Sequence, residues 1–425
     1  MDRRRRMHPA TQEALNRREF LRRAAMAGIA LPTAAAILAA CSDPKEASGN
    51  AGSTTIPLAR RDKPVTLPLY DDNPAIADGM EIEKGATLEI FNWSDYFYKK
   101  VLEDFEKEYD VTYNWTTFNN MSEAKQKMQA GQVADVFFPT VDVLGQMVGA
   151  KLLQPLNHSY IPNMEANVWP AYWDGDTPFY DQGWRYTAPY VIYTTGVGYR
   201  RDVISDEEAA DQGYDLLWNA DYAGKVGLYD DYRETLSMAM LRDGITDINT
   251  GDQATIDAAL DSLKELIPLD VRTSINGTYV GLSEGKYDVH HAWSGDMIGA
   301  QYYLPSGTST DVLGYWYPAD HAGVVGNDTI VVPSSSEHPV LAHTFINFLL
   351  DKKHGYENFT WNGYQPPFTS INPESLISGG DVPKSLPLAV VTEEDFKAGY
   401  SILELAPDDD DKWQDAWDEF NTSTG

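Results

Sequence analysis

The stretch from residue 86 to residue 138 constrains the fold of this chain most, because patterns typical of strands and helices alternate along it. Alternating apolar residues after Ala86 predict a first strand, and Ser94 or Asp95 is the predicted cap of the helix that follows. A run at 135–138 that is almost wholly apolar ends at a proline, which is typical of a buried parallel strand. The succession predicts an α/β lobe, and its elements are a first strand through Leu88 and Ile90, a helix at 98–109, a strand at 111–116, a helix at 122–130 and a strand at 135–138.

A second set of elements follows with no internal repeat. The pattern predicts strands at 193–199, 226–228, 289–292 and 330–332, and helices at 233–241, 254–267 and 339–351. The last of these helices begins at a proline and is predicted to bury Val340 and Phe345. His343 falls opposite that apolar stripe and is predicted to face solvent.

The formal charge of −31 excludes some classes of partner. Nucleic acid and anionic lipid headgroups would be repelled, whereas cationic solutes would be attracted. A heavily solvated acidic surface is the alternative cause of most of this charge. The chain carries no glycine-rich phosphate loop and no metal-binding or nucleophile motif, so we expect no cofactor, no metal and no catalytic residues.

The N-terminus predicts export. Arg17-Arg18 before Phe20-Leu21 resembles a twin-arginine signal, and the uncharged segment at 24–40 is too short to span a membrane. The residues before Cys41, the only cysteine, resemble a lipoprotein processing site. We therefore predict a signal peptide at 1–40, a lipid anchor at Cys41 and a flexible tether at 41–85, which would leave the protein in the periplasm or on the cell surface. The later part of this tether, residues 64–79, is apolar enough to lie against the folded body.

Four segments combine carboxylates with aromatic residues or follow predicted strands where such groups collect. They are 93–96 (WSDY), 230–234 (DDYRE), 293–296 (WSGD) and 326–329 (GNDT). Carboxylates hold a protonated amine through charge-assisted hydrogen bonds, and aromatic rings suit its methylene chain. Taken singly, each acid is an ordinary helix cap or surface charge. The sequence therefore gives the hypothesis of one amine-binding pocket, which requires that the four segments converge.

The order and spacing of seven motifs resemble the spermidine/putrescine-binding proteins of ABC importers, over about four-fifths of the chain. The motifs are FNWSDYF from 91, DVFFPT from 135, DLLWNADYAGKV from 215, DDYRETLSMAMLRDG from 230, HHAWSGD ending at 296, GNDTIVVP from 326 and NGYQPP from 362. The resemblance implies an α/β, two-lobed, type II periplasmic-binding-protein-like fold with two crossover hinge strands near 194–197 and 325–328. It implies one lobe at 86–192 plus 329–372 and a second at 193–328 plus 373–425.

The resemblance also implies ligand-binding residues at matching positions: Trp93, Tyr96, Thr140, Asp142, Asp231, Glu234, Trp293, Asp296, Asp328 and Tyr364. Glu234 would meet one amine and Asp328 the other, with Trp293 along the methylenes. Two positions depart from the spermidine-binding pattern, since Asp142 replaces an aromatic residue and Gly326 replaces a tryptophan.

The function that this resemblance implies is capture of a polyamine by closure of two lobes, followed by delivery to an ABC permease. The protein would act as a monomer and not as an enzyme. Two alternatives stay open. A receptor for another small molecule, such as a sugar or an amino acid derivative, would use the same crevice. A secreted glycoside hydrolase would also use acids lined by tryptophans, although no acid/base pair is identifiable.

Overall fold

A computed structural model describes residues 56–173, 178–274 and 277–424. The predicted signal peptide and Cys41 lie outside the described residues. The strands are β1 (Thr87–Trp93), β2 (Thr112–Phe118), β3 (Val136–Phe137), β4 (Leu153–Gln154), β5 (Ala188–Arg200), β6 (Val226–Leu228), β7 (Arg272–Thr273), β8 (Val289–Trp293), β9 (Leu313–Trp316), β10 (Val324–Ile330) and β11 (Val332–Pro333).

The α-helices alternate with these strands as an α/β chain requires. They are α1 (Lys99–Tyr109), α2 (Met121–Gln129), α3 (Leu144–Gly149), α4 (Pro162–Asn167), α5 (Asp206–Gln212), α6 (Tyr232–Arg242), α7 (Gln253–Lys264), α8 (Ser294–Ala300), α9 (Pro339–Leu349), α10 (Lys352–Asn362), α11 (Pro373–Gly379), α12 (Glu393–Ala398) and α13 (Pro407–Thr424). Within the described ranges, no helix combines the length and apolar character needed to cross a membrane.

The strands form two main sheets. The first sheet has the order β2-β1-β3 and is parallel, with Ile90 opposite Val136. The second sheet has the order β10-β5-β8-β6-β7, and β9 also pairs with β5. Parallel strands place their carboxyl ends at one edge, so β1, β6 and β8 each deliver the next residues of the chain to a common crevice.

Two long strands connect the sheets. β5 and β10 pair antiparallel, with Gly326 opposite Tyr193 and Val324 opposite Thr195. β10 continues to Val331, which forms a bridge with Phe137 of the first sheet. The two crossing strands therefore lie where the sequence predicts them. The exact lobe boundaries given above stay a prediction.

The corner after β1 differs from its prediction in one respect. Asp95 adopts a left-handed conformation with φ of 59°, and α1 begins only at Lys99, with Tyr98 as its cap residue. The chain thus makes an extra turn before the helix, so neither Ser94 nor Asp95 is the cap. Val101, Leu102 and Phe105 form the buried apolar face of this helix, and Tyr109 is half-buried beside them.

The prediction for His343 is wrong. Its side chain is fully buried on α9, where its Nε2 atom accepts a hydrogen bond from the backbone N–H of Asn157 at 3.0 Å. The Nδ1 atom lies 2.7 Å from the carbonyl oxygen of Pro339. A chain segment packed on the polar side of the helix covers this residue, and periodicity within one helix cannot report that neighbour.

Residues 56–85, the part of the predicted tether that the structure describes, pack on the folded body, as the apolar pattern at 64–79 allows. The guanidinium of Arg60 donates hydrogen bonds to the carbonyl oxygens of Glu404 at 3.0 Å and Asn249 at 3.3 Å. Val65 exchanges backbone hydrogen bonds with residues 179 and 182. Val65 and Leu67 are buried in a core cluster that also contains side chains of β1 and β3. Apolar burial therefore offsets the entropy of ordering this segment.

We expect Leu67→Ala to lower the free energy of unfolding by about 2–4 kcal/mol, because it removes buried methyl groups and leaves a cavity in the core. Leu67 is 1% exposed, whereas Leu69 is 57% exposed, so Leu69→Ala is the matched control and should change stability by less than about 0.5 kcal/mol. Chemical denaturation measures both. Equal stabilities of the two variants would show that the segment does not pack in solution.

Candidate functional site

A cleft of about 1730 Å³ lies between the two sheets. All ten residues that the sequence predicts as ligand-binding line it: Trp93, Tyr96, Thr140, Asp142, Asp231, Glu234, Trp293, Asp296, Asp328 and Tyr364. They come from β1, the turn after it, the turn after β3, the start of α6, the end of β8, the start of α8, β10 and the turn after α10. The four acidic and aromatic segments thus converge, as the hypothesis of one pocket requires.

Asp328 occupies the crossing strand β10 and is 2% exposed. Its Oδ2 atom accepts a hydrogen bond from the Tyr96 hydroxyl at 2.9 Å, and its Oδ1 atom has no hydrogen-bond partner in the described part of the chain. Burial raises the pKa of the Asp328 carboxyl to about 7, and the charge of Asp142 adds to this shift. One buried carboxylate oxygen is therefore free to receive a donor from a ligand.

Glu234 reaches the cleft from the first turn of α6. Asp231 caps this helix by accepting hydrogen bonds from the backbone N–H groups of Arg233 and Glu234, each at 3.0 Å. The Glu234 Oε1 atom accepts a hydrogen bond from the indole N–H of Trp293 at 2.9 Å. Oε2 is buried and makes no hydrogen bond of normal geometry among the described residues, although the nearby Thr195 hydroxyl lowers the pKa of this carboxyl. Burial, and then the neighbouring Asp231, raise the pKa of Glu234 to about 8.

Asp296 lies in the first turn of α8 and is held by two phenols. Tyr364 donates to its Oδ1 atom at 2.6 Å and Tyr229 donates to its Oδ2 atom at 2.8 Å. Burial raises the pKa of this carboxyl to about 7, although both hydrogen bonds act in the opposite direction. Asp296 is thus fixed in position before any ligand arrives.

Thr140, Asp142 and Asp231 also line the cleft. Thr140 forms a bridge with Asp328, and its hydroxyl is buried without a hydrogen-bond partner among the described residues. Asp142 lies in the short helical turn that follows Thr140 and is half-buried. Burial raises the pKa of Asp231, although the hydrogen bonds that its carboxylate accepts from two backbone N–H groups act in the opposite direction.

Aromatic rings line the cleft between the carboxylates. The Trp93 and Tyr96 ring centroids are 6.3 Å apart, and those of Tyr96 and Tyr364 are 4.7 Å apart. The rings of Trp293 and Tyr229 stack at 3.9 Å. This combination of flat apolar walls and acids matches a cation with an apolar chain.

Sequence reasoning missed Tyr229 and Tyr193. Tyr229 directly follows β6 and precedes the acidic motif at 230–234, and that place at a strand end is the signal that would have found it. Its hydroxyl also accepts hydrogen bonds from the backbone N–H of Trp293 at 2.7 Å and from the Thr278 hydroxyl at 2.9 Å. Tyr193 lies on β5 and lines the cleft opposite Gly326.

We expect Tyr229→Phe to lower the free energy of unfolding by about 1–3 kcal/mol, because buried partners lose their hydrogen bonds to its hydroxyl. Tyr199→Phe is the matched control. Its hydroxyl donates to Asp206, whose side chain is 57% exposed and can form a hydrogen bond with water instead. The free energy of unfolding should therefore fall by less than about 1 kcal/mol in this control. Urea denaturation of the two variants makes the comparison, and an equally small loss in both would argue against Tyr229 as the central hydrogen-bonding group.

Charge is the most informative property of this site. The described residues give Glu234, Asp296 and Asp328 hydrogen-bond donors from hydroxyl and indole groups, but no ion-pair partner. Buried carboxylates without a counter-charge are unfavourable and are usually paired or protonated. The arrangement is therefore suited to receive a cation from outside the chain.

Comparisons with known proteins agree with this description. Residues 100–383 match a sequence model of a family described as bacterial extracellular solute-binding protein. The spermidine/putrescine-binding periplasmic protein of Escherichia coli is 28% identical over 281 residues, which cover 65% of this chain and 77% of that protein. The putrescine/cadaverine-binding protein of Pseudomonas aeruginosa is 26% identical over 275 residues, which cover 64% of this chain and 76% of that protein.

Solved structures show the same fold. A putative spermidine/putrescine ABC transporter protein from Listeria monocytogenes superposes with a TM-score of 0.67 at 22% identity, covering 79% of this chain and 98% of that one. The spermidine/putrescine substrate-binding protein PotD from Streptococcus pneumoniae gives a TM-score of 0.64 at 23% identity, covering 80% of this chain and all of that one. The predicted two-lobed, type II α/β fold is confirmed.

Proposed function

The chain belongs to the bacterial extracellular solute-binding proteins, and we propose that it captures a polyamine of the putrescine and spermidine class between its two lobes and delivers it to an ABC permease. The observation that carries this proposal is the set of three buried carboxylates, Glu234, Asp296 and Asp328, which lack any ion-pair partner among the described residues. A ligand with two or more ammonium groups supplies the missing charges.

The two ends of such a ligand would meet different carboxylates. Glu234 would bind one ammonium group through its unpaired Oε2 atom, and Asp328 would bind the other through its unpaired Oδ1 atom. Asp296 adds a third acid, and Trp293 lies along the methylenes with its indole N–H already committed to Glu234. Trp93, Tyr96 and Tyr364 complete the wall, while Thr140, Asp142 and Asp231 border the pocket.

The alternatives fit this site less well. A neutral sugar would bring no charge to three buried carboxylates, and an amino acid derivative would bring a carboxylate of its own among them. A glycoside hydrolase requires two carboxyl groups that flank a scissile bond, one as general acid and the other as base or nucleophile, and no such pair is identifiable in the sequence. The family consists of binding proteins that serve transport, and we propose no catalytic activity.

Calorimetric titration of the purified protein with putrescine, cadaverine, agmatine, spermidine and spermine tests the proposal. We expect at least one of these to bind with a micromolar or lower Kd. Glucose and glutamate serve as the neutral and anionic controls and should give no heat of binding. Absence of binding by all five amines at micromolar concentrations would overturn the proposal.

The same proposal includes the arrangement of the chain at the membrane. Members of the family are extracellular, so the protein is exported. Lipid attachment at Cys41, after a twin-arginine signal at 1–40, would hold a monomeric receptor beside its permease. The lobes would be residues 86–192 plus 329–372 and residues 193–328 plus 373–425, with β5 and β10 as the hinge. Cys41→Ser should release the protein from the membrane fraction, and unchanged retention would argue against the anchor.

A further inference from the structure

Tyr193 completes the ring of aromatic side chains around the cleft. Its ring lies edge-on to Trp293 and to Tyr364, with centroid distances of 6.1 Å in both cases. Tyr364 in turn contacts Tyr96, and Tyr96 contacts Trp93. Tyr193 is therefore the link that joins the aromatic groups of the two sheets into one continuous wall.

The hydroxyl group of Tyr193 lies among the acids of the site. Burial raises the pKa of this phenol, and the charges of four carboxylates raise it further: Asp328, Glu234, Asp231 and Asp142. The phenol therefore stays protonated, and its oxygen keeps lone pairs that accept hydrogen bonds. The two carboxylates that would bind the ammonium groups, Asp328 and Glu234, both act on this phenol, so an ammonium group bound to Asp328 would have this oxygen as a neighbour.

Gly326 provides the space that Tyr193 occupies. The two residues lie directly opposite each other in the antiparallel pair of β5 and β10, so side chains at both positions would project to the same face. A Cβ atom at position 326 would lie 2.3 Å from Cζ of Tyr193 and 2.5 Å from its hydroxyl oxygen. Carbon atoms pack at about 3.5–4.0 Å, so any side chain at 326 would displace the tyrosine ring.

We propose that Tyr193 is a ligand-contacting residue of this site, and that Gly326 is the specificity position that keeps its ring in the cleft. The inference rests on the proposed function. The ring would cover the methylene chain of a linear diammonium or polyammonium ligand, and the hydroxyl oxygen would accept an N–H from the ammonium group that Asp328 binds. The strand pair thus contributes one acid, Asp328, and one aromatic wall.

Calorimetric titration of four variants with the best-binding polyamine tests the inference. Tyr193→Ala should weaken binding about tenfold, because it removes the ring from a desolvated cation site. Tyr193→Phe should weaken it about threefold, because only the hydroxyl is lost. Gly326→Ala should also weaken binding about tenfold by displacing the ring. In the double variant Gly326→Ala/Tyr193→Ala, the added methyl group has nothing to displace, so affinity should equal that of Tyr193→Ala within about twofold.

Matched controls separate this effect from general damage. Tyr70→Ala removes a tyrosine outside the cleft, and Gly149→Ala adds a methyl group where the nearest atom is 3.7 Å away; both should bind like the unchanged protein. Thermal unfolding verifies that each variant is folded. If Tyr193→Ala does not fold, Tyr193→Phe and Gly326→Ala still test the inference.

The outcomes distinguish this inference from the proposed function. If the unchanged protein binds no polyamine, the proposed function fails. If it binds, but Tyr193→Ala and Gly326→Ala both bind as tightly as the unchanged protein within about twofold, only this inference is overturned. A double variant much weaker than Tyr193→Ala would also overturn it, because Gly326 would then act independently of the ring.

Discussion

Asp328→Asn is expected to weaken polyamine binding by about 1.5–3 kcal/mol, or roughly ten- to a hundredfold in Kd. The change removes the charge of a carboxylate that is 2% exposed and whose Oδ1 atom has no partner among the described residues. The amide keeps the shape of the side chain and an oxygen that accepts the Tyr96 hydrogen bond. The loss therefore reports the charge-assisted contact with an ammonium group. Calorimetric titration with the best-binding amine measures it.

The same variant should leave the ligand-free protein at least as stable as the unchanged one. Burying a carboxylate without a counter-charge is unfavourable, and the neutral amide avoids that penalty. Asp211→Asn is the matched control. Asp211 is exposed on α5 and does not line the cleft, so its substitution removes the same charge outside the site. It should change neither affinity nor stability measurably. If Asp328→Asn binds polyamine as tightly as the control, Asp328 does not contact the ligand.

Much of this fold follows from patterns that are local in sequence. The periodicity of 339–351 predicts α9, and the apolar run at 226–228 matches β6. The residue types of the site were also predictable, because acids and aromatic rings follow β1, β6 and β8, where a parallel sheet opens its crevice. Patterns that are local in sequence therefore predict which helices and strands form and which strand ends carry the acidic and aromatic side chains of the site.

Contacts between distant segments were not predictable in the same way. The hydrogen bond from Trp293 to Glu234 joins residues 59 positions apart, and it exists because β8 and β6 are neighbours in the second sheet. Tyr193 faces the cleft because Gly326 leaves it room on the opposite strand. Burial of His343 and packing of the N-terminal segment likewise depend on which segments of the chain lie against them. Such pairings are set by the tertiary arrangement and leave no periodic signal in the sequence.

The acidity of the site leads to the second large expected effect, which is a strong dependence of polyamine affinity on pH. In the empty cleft, burial raises the pKa of Glu234 to about 8 and the pKa values of Asp296 and Asp328 to about 7. At pH 6 these carboxyl groups are mostly protonated, and a dication must displace their protons. Aliphatic ammonium groups titrate near pH 10, so the ligand keeps its charge throughout. Affinity should therefore increase by about tenfold or more between pH 6 and pH 8.

The stability of the ligand-free protein should decrease as the pH rises, whereas the affinity for polyamine should increase. A carboxyl group whose pKa is raised on folding releases its proton more readily in the unfolded chain, so the unfolded state is favoured as the pH rises from about 4 toward 8. Glu234→Gln removes one such group, and its advantage in stability over the unchanged protein should be absent below pH 4 and greatest at pH 8. Thermal unfolding at several pH values measures this difference, and a constant difference would contradict the raised pKa of Glu234.

Proton release connects these two trends in a single measurement. If binding ionises the buried carboxyl groups, the calorimetric enthalpy at pH 7 will differ between phosphate and Tris buffers, because the two buffers take up the released protons with different heats. Glu234→Gln should reduce the number of protons released, whereas Asp211→Asn should not. Equal enthalpies in both buffers, or equal affinities at pH 6 and pH 8, would mean that the carboxylates are already ionised in the empty cleft. The cleft would then have to stabilise its three negative charges by solvation and by the hydroxyl and indole donors alone, and its selectivity for cations would not depend on pH.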